Sequence, residues 1–504
     1  MKTGYRSLLL ATAALAALSV PAFAQSRTAK QQQEQQAATN AKLDTLQRAV
    51  SDLNAQLAAV KAAQAAADNS AALSDLKRST SNQYTDLSGQ IAAAAKDRPR
   101  LAIDNGRFSY TSTDGRFSIA LRSLVQFDTG YFAQRRGPAS VDLNSGTNFR
   151  RAQFGAQGTL FQDWSYYFLY DFGGYGVENR GYVYNAYLEY DGLKPFYIRA
   201  GAYTPPEGQE DQTSSGELLF PERAGAVDVA RNIAGAPSRE AISIFAQDSD
   251  YLISLSYTGK KSTDGTSTGA SVGTFDAQQA VIARAAWLPL STSDTKLLVE
   301  GHLTDVLKLP DTTASPSATV IRLSDGPEVG IDASKTVDTG NIDAKGVREY
   351  GFETVGEFGP VYGQAGWFHY EIDRRLALPA THFQGWYGIL TYSLTGEQHP
   401  YDPATASFRN LRPAAPLGTK GGWGAWEIAT RYSSIDLNFR PFTSTATGGV
   451  AGGKQDVWTL GLNWYPNNAI KFQLDYDNIQ VNHPNAPTTD ISSDAFVLRT
   501  QFAL

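Results

Sequence analysis

The chain has 504 residues, of which 42% are apolar and 11% aromatic, and it contains no cysteine. The absence of cysteine excludes disulfide scaffolds, thiolate catalysis and zinc–thiolate sites. The net charge of −6 divides into +2 for residues 1–24, +3 for 25–100 and −11 for 101–504, and because no segment is strongly basic the sequence predicts no nucleic-acid partner.

Residues 1–24 have the three parts of a secretory signal peptide. Lys2 and Arg6 give a positive start, an apolar run covers 8–20, and the Ala-Phe-Ala tripeptide at 22–24 has the small-x-small form of a signal-peptidase site. A buried N-terminal helix is the alternative. An exported chain without cysteine is typical of a bacterial envelope.

Residues 25–98 are predicted to form an α-helical coiled coil that stands in the periplasm as a stalk. The segment is rich in Ala, Gln, Ser and Asp, and its apolar residues repeat at alternating spacings of three and four, as in a heptad seam. The seam consists of Leu43, Leu46, Val50, Leu53, Leu57 and Val60. A disordered linker is the alternative. Pro99 ends the helix, because proline disfavours helical geometry in the residue before it.

From residue 99 onward the apolar period changes to 2, the period of strands with one apolar and one polar face. The apolar faces of two neighbouring strands, for example, are formed by Trp164, Tyr166, Phe168, Tyr170 and Phe172 and by Tyr182, Tyr184, Ala186, Leu188 and Tyr190. Sixteen strands are predicted, at 116–128, 148–160, 164–172, 182–190, 196–203, 240–246, 250–258, 280–288, 296–303, 347–356, 361–370, 383–393, 424–432, 456–465, 469–478 and 494–504.

The predicted connections differ in length. Those at 160–164 and 190–196 are tight, whereas the long ones are 128–148, 203–240, 303–347 and 393–424. Short turns on one rim, long loops on the other and aromatic residues at strand ends are typical of outer-membrane barrels. The fold class predicted for residues 99–504 is therefore an all-β transmembrane barrel of about 16 antiparallel strands in the bacterial outer membrane, preceded by the N-terminal coiled coil.

A barrel of this size is wide enough for an aqueous channel. The connection at 204–239 contains four prolines and is expected to fold into the lumen and narrow it, with a surface loop as the alternative. Alternation assigns Arg122, Arg151 and Arg199 to the polar face of early strands, and Arg223 lies in the connection. Guanidinium groups bind phosphate oxygens through paired hydrogen bonds, so these arginines are candidate anion-binding residues.

Several motifs resemble the phosphate-selective porin family, also called porin O/P. The matching stretches are 148–155 (Asn-Phe-Arg-Arg-Ala-Gln-Phe-Gly), 160–164, 170–172, 186–190, 192–195, 204–208, 222–223, 231–232, 424–427, 431–433 and 461–465. The resemblance implies a trimeric channel for phosphate or other anions, with a constriction formed by Arg122, Arg150, Arg151 and Arg223. Two positions depart from the family. Where the family has an acidic residue before Ala-Tyr, this chain has Asn185, which makes that position more positive, and in place of the family's terminal aromatic residue it has Leu504.

The predicted function is passive diffusion of small anions, with phosphate or polyphosphate as the expected solute. The predicted constriction consists of Arg122, Arg150, Arg151, Asn185, Arg199 and Arg223. The alternative is a general porin, or one for another solute, whose coiled coil mainly tethers the outer membrane to peptidoglycan or spaces the envelope. An enzyme is not predicted, because the five histidines are scattered and no H-E-x-x-H, G-x-S-x-G or glycine-rich phosphate motif is present. Neither a cofactor nor a metal is expected.

Overall fold

The computed structural model describes residues 44–62, 70–96, 99–104, 107–139, 141–173, 181–235, 237–262, 277–310, 319–375 and 377–504. The predicted signal peptide at 1–24 lies outside these residues, as does the first part of the predicted stalk. The chain divides into two units, Met1–Pro99 and Arg100–Leu504.

The described residues of the first unit form two helices, α1 at 44–62 and α2 at Ser70–Lys96. Its many Ala, Leu, Gln and Lys residues are good helix formers. Within one chain the apolar seam predicted on α1 is only partly buried. Val60 is buried, whereas Val50 and Leu57 are 38% and 44% exposed. No helix in the described part of the chain is long and apolar enough to cross a membrane.

The second unit is a closed antiparallel barrel of sixteen strands, in which each strand pairs with the next along the chain and the last pairs with the first. The strands, labelled β1 to β16 in chain order, are Ser118–Arg136, Gly146–Leu160, Trp164–Asp171, Tyr182–Leu193, Phe196–Tyr203, Arg239–Gln247, Tyr251–Lys261, Gln279–Ser291, Thr295–Lys308, Ile342–Phe358, Val361–Arg374, Thr381–Ser393, Ala425–Phe439, Val450–Tyr465, Ile470–Asn482 and Ile491–Ala503.

Smaller elements occupy the connections and the start of the unit. A hairpin of Arg100–Asp104 and Arg107–Thr111 precedes β1 and pairs with its first residues. The remaining short elements are helices α3 (Gln209–Gln212) and α4 (Gly225–Ala234), 3₁₀ turns at Thr445–Thr447 and Pro487–Thr489, and two-residue strands at Val320–Ile321, Ser324–Asp325, Val337–Asp338, Tyr401–Asp402 and Ser407–Phe408.

The outer face of the barrel carries large apolar side chains. Phe154, Trp287, Trp386 and Leu460 are each about half exposed, whereas their neighbours Gln153, Ala286, Tyr387 and Thr459 on the same strands are buried. A surface of this kind is unfavourable in water and favourable in lipid. The alternation that predicted the strands is thus the lipid-facing pattern of a membrane barrel.

The strand ends agree closely with the prediction on the rim of the tight turns and poorly on the opposite rim. There β1 continues to Arg136 instead of stopping at 128, and β14 begins at Val450 instead of 456. The apolar face also reverses, because Ile479 and Val481 of β15 are fully buried inside. At this height the outer face meets water and the inner face packs against loops, so the apolar-out rule no longer marks the strand.

The prediction that all long connections lie on one rim is wrong for 393–424. Because consecutive strands alternate in direction, the connection between β12 and β13 lies on the rim of the tight turns. It folds back into the barrel, where Arg284 of β8 donates hydrogen bonds to the carbonyl groups of Thr405 and Ala406. His399 in the same connection contacts Glu427 of β13 at 2.8 Å. We refer to residues 394–424 as the turn-side segment.

Candidate functional site

The connection between β5 and β6, residues 204–238, lies inside the barrel, and we refer to it as the inward segment. Side chains from strands far apart around the wall hold its backbone. Gln126 of β1 donates to the carbonyl of Ser215 at 2.9 Å, and Tyr370 of β11 donates to that of Ala226 at 2.6 Å. Such contacts on opposite walls mean that the segment crosses the interior.

Helix α4 of the inward segment fills the loop-side half of the barrel. Its residues Val227, Val229 and Ile233 are buried in an apolar cluster that includes inward-facing residues of the extended strand ends, such as Ile435. The helix ends at Gly235, whose φ of 91° lies in the left-handed region that glycine adopts without strain. Apolar packing thus fixes this half of the segment, which leaves open space nearer the turn-side rim.

That space is a cavity of about 810 Å³. Its walls come from β1 to β5, the turn-side ends of β14 to β16, the hairpin that precedes β1, the first part of the inward segment and the turn-side segment. The charged residues that line it are seven basic ones, Arg107, Arg122, Arg199, Arg223, Arg409, Arg412 and Lys471, and three acidic ones, Asp211, Glu217 and Asp402. The cavity is therefore cationic although residues 101–504 as a whole are acidic.

The two segments that enter from opposite rims meet at the cavity. The side-chain amide of Asn410 donates to the carbonyl of Gly216 at 2.7 Å, and its backbone N–H donates to the Glu217 carboxylate at 2.7 Å. Arg412 forms an ion pair with the same carboxylate at 3.3 Å. The two segments are therefore in direct contact beside the cavity.

Four of the six predicted site residues line the cavity. Arg122 is half-buried, and Asn185 lies nearby with 9% of its surface exposed. Arg199 stacks on Tyr187 and is neutralised by Glu189, whose Oε2 accepts from its Nε at 2.7 Å.

Arg223 is almost fully buried, although it borders the cavity. Its guanidinium donates to the backbone carbonyl groups of Glu210, Asp211 and Thr213. The side chain therefore braces the fold of the inward segment around α3, and its charge has no carboxylate partner in these bonds.

Arg150 and Arg151 are not among the residues that line the cavity. A β-bulge makes both point inward, since Gln126 pairs with Arg151 and Phe127 pairs with Phe149, so that Arg150 is the extra residue. The two arginines are 4% and 2% exposed.

Arg150 instead anchors the inward segment. It makes a forked ion pair with Glu222, with N–O distances of 2.6 and 2.8 Å. Arg499 of β16 also contacts Glu222 at 3.0 Å and pairs with Asp128 of β1. Burial alone would raise the pKa of Glu222, but the two guanidinium groups outweigh it and hold that pKa well below its ordinary value.

Sequence reasoning missed several lining residues. Arg107 lies in a hairpin that was not predicted, and Arg409 and Arg412 lie in a connection that was assigned to the other rim. Tyr184, expected on the lipid face, lines the cavity because a register shift lets Leu169 pair with Asn185 and Tyr170 with Val183. Lys471, which alternation does assign to the polar face of its strand, also lines the cavity, although it was not among the predicted constriction residues.

The chain is similar to several known proteins. The sequence profile of the family described as phosphate-selective porin O and P matches residues 119–504. Porin O of Pseudomonas aeruginosa is 27% identical over 423 residues, which cover 79% of this chain and 91% of that protein. An uncharacterized protein of Caulobacter vibrioides is 25% identical over 374 residues, 72% of this chain and 69% of that protein. A solved anion-selective porin from Comamonas acidovorans has 12% identity and a TM-score of 0.45, covering 77% of this chain and 100% of that chain.

The matched region includes all sixteen strands of the closed barrel, from β1 to the end of the chain. Such barrels are found in the outer membrane of Gram-negative bacteria. The chain therefore belongs to the phosphate-selective porin O and P family and is a porin of the Gram-negative outer membrane.

Proposed function

We propose that the protein lets small anions, with phosphate as the principal solute, diffuse passively across the outer membrane through the cationic cavity. The observation that carries this proposal is the excess of basic over acidic side chains along the cavity wall, seven to three, or six to three once Arg199 is left out because Glu189 neutralises it. Arg223 bonds there to backbone carbonyl oxygens, so these bonds leave its charge uncompensated. In a narrow space walled by protein, such an excess attracts anions more strongly than in open solvent.

Arg107 and Arg122 are the pair that we expect to contact a phosphate directly. The register that pairs Ser109 with Ala120 brings the two arginines to the same level of neighbouring strands. Both are half-buried and border the cavity. Two forked donors side by side suit a tetrahedral oxyanion, whereas chloride offers no geometry for a fork.

Ion selectivity tests the anion preference. In planar bilayers with a potassium chloride gradient, the reversal potential should indicate anion selectivity, and a cation-selective potential would refute the proposal. Arg122→Ala removes one charge near the path, and we expect the chloride-to-potassium permeability ratio to fall roughly fivefold, since about 1 kcal/mol is typical for charges a few ångströms apart in wet surroundings. Arg135→Ala is the matched control, because Arg135 is half exposed and pairs with Asp494 on the opposite rim.

Competition tests the solute. Millimolar phosphate should reduce the chloride current, and Arg122→Lys should weaken that block while keeping the anion preference, because lysine retains the charge but loses the fork. If phosphate does not reduce the current of the unmodified protein, the channel is a general anion pore.

We also propose that the N-terminal helices form an oligomeric coiled coil and that the porin is a trimer. The exposed Val50 and Leu57 on the seam of α1 support this proposal, since an Ala-rich helix with an open apolar stripe is stabilised by partner helices. Val50→Asp with Leu57→Asp should lower the detergent-corrected mass or the melting temperature of the assembly, whereas Ala55→Asp, off the seam, should not. Equal behaviour of both variants would refute the coiled coil.

We propose a second, alternative role for the same helices, in which they tether the barrel to peptidoglycan or space the envelope. Deleting residues 25–98 should then abolish co-sedimentation with isolated peptidoglycan and leave conductance unchanged. Unaltered co-sedimentation would contradict the tether.

A further inference from the structure

A group of four buried glutamates and one buried histidine lies between β9, β10 and the inward segment, apart from the cationic cavity. The group consists of Glu207, Glu300, His302, Glu349 and Glu353, each at most 5% exposed. Glu300 and Glu353 are directly opposite each other in the strand register. Like charges in that position repel each other, so the arrangement calls for a compensating cation.

The described residues supply too little compensation. Arg284 pairs with Glu300 and the buried guanidinium of Arg239 acts on Glu207, so the four carboxylates of the group exceed these two guanidinium groups by two negative charges. Several atoms also lack a hydrogen-bond partner among the described residues, although they are fully buried. They are Oε2 of Glu207, Oε1 of Glu300, Nδ1 of His302 and Oε2 of Glu349. Buried polar atoms are normally satisfied, so unpaired donors and acceptors at one place indicate a missing ligand.

The histidine has the geometry of a metal ligand. Its Nε2 lies 3.0 Å from Oε1 of Glu349, and because an ionised carboxylate only accepts, Nε2 carries the hydrogen. In the neutral ring Nδ1 then presents its lone pair, 3.9 Å from Oε2 of Glu353. A carboxylate that orients the ring through the other nitrogen accompanies most metal-binding histidines.

We propose that Glu300, His302 and Glu353 bind a divalent transition-metal cation such as Zn²⁺. Their ligand atoms all lie within 4.8 Å of one another. Two ligands at about 2.0–2.2 Å from one ion are separated by at most about 4.4 Å, so small side-chain rotations complete the site. One imidazole with two carboxylates suits Zn²⁺, Mn²⁺ or Co²⁺ better than Ca²⁺ or Mg²⁺, which favour oxygen ligands alone.

Two glycines make room for these ligands. Gly351 lies opposite His302 in the register, and a Cβ there would overlap the imidazole ring. A Cβ at Gly208 would overlap the Glu353 carboxylate and approach Nδ1 of His302. Only glycine at these two positions lets the backbone pack directly against the side chains of His302 and Glu353.

The proposed site is attached to the inward segment. Glu353 accepts a hydrogen bond from the backbone N–H of Gln209 at 2.6 Å, and Glu207 accepts one from Thr304 of β9 at 2.9 Å. A cation at Glu353 would stabilise the position of the segment beside the passage. The function of the metal is thus to brace the constriction, and its binding can be tested independently of what the channel transports.

Metal titration of the full-length protein in detergent tests the proposal. After EDTA treatment and desalting, we expect the protein to bind one equivalent of Zn²⁺ by elemental analysis, and Co²⁺ to give a visible absorption band. His302→Gln should abolish this binding. Glu349→Gln should weaken it about 10- to 100-fold, because it disturbs only the orientation of the ring. His369→Gln on β11, whose ring stacks on Trp367, is the matched control and should bind normally.

Heat-dependent migration on gels shows whether each variant has a folded barrel, and Glu300→Gln, which keeps the size of the side chain, serves as a second ligand variant if His302→Gln does not fold. Substoichiometric Zn²⁺ in the unmodified protein would overturn the proposal. So would full binding by folded His302→Gln or folded Glu300→Gln, since the metal would then lie elsewhere.

Discussion

The anchoring of the inward segment by Glu222 gives the sharpest test of how the passage is narrowed. Glu222→Gln keeps the side-chain volume but removes the charge that faces Arg150 at 2.6 and 2.8 Å and Arg499 at 3.0 Å. All three groups are buried. Arg499 retains Asp128 as a partner, whereas Arg150 loses the forked pair.

Breaking a buried ion pair by changing one partner costs about 3–5 kcal/mol. The barrel wall does not depend on this pair, because its strands are held by backbone ladders. The cost therefore falls on the docked position of the inward segment. We expect a larger mean conductance and stronger current noise as the segment leaves this position.

Single-channel recording at fixed salt is the assay, with folding checked by heat-dependent gel migration. Glu240→Gln is the control. Glu240 lies just beyond the same segment, but it is largely exposed and its ion pair with Lys260 is long, at 3.6 Å. A folded Glu222→Gln protein with unchanged conductance and noise would refute the idea that this ion pair positions the segment.

Three further outcomes are expected. Burial raises the pKa of Glu210 from 4.5 to about 7, so the stability that protonated Glu210 contributes is present below pH 4.5 and is lost as the pH rises through 7. In urea unfolding, Glu210→Gln should therefore raise the free energy of unfolding by about 1–3 kcal/mol at pH 8 and leave it unchanged at pH 4. Asn410→Ala removes the hydrogen bond to Gly216 and should loosen the contact between the two segments by about 1–3 kcal/mol, visible as increased conductance; an unaltered current would show that the contact does not limit flow. Burial alone would lower the pKa of His399, but Glu427 outweighs burial and raises that pKa. The contact between His399 and Glu427, which holds the turn-side segment, is therefore fully present below pH 6.5 and weakens as the pH rises through the folded-state pKa. Proteolysis of the turn-side segment should increase over that range, and His399→Gln should remove the pH dependence.

Period-2 alternation was sufficient to find every strand of the barrel, because lipid imposes one face on each strand. It lost accuracy where the lipid ends. At Ile479 and Val481 the apolar residues point inward onto packed loops, a reversal that no local pattern distinguishes from a change of register.

The site was harder to predict than the wall. A single extra residue at Arg150 turns two adjacent arginines inward, and a bulge of that kind has no periodic signal. Arg409 and Arg412 depend on the path of a long connection, which is set by distant contacts such as those of Arg284 with the turn-side segment. Sequence reasoning therefore identified residue types suited to anions but could not separate those that line the cavity from those that hold its walls.

The seam where β16 meets β1 has a consequence for how the porin is assembled. Gln126 lies on one side of the seam, and Arg499 and Gln501 lie on the other. All three donate hydrogen bonds to backbone carbonyl groups of the inward segment, Gln126 to Ser215, Arg499 to Pro221 and Gln501 to Gly216. A nascent barrel with an open seam cannot form these hydrogen bonds from both strands at once, so the inward segment is held from both sides only after β16 pairs with β1. We therefore expect closure of the wall and final docking of the inward segment to occur together during assembly.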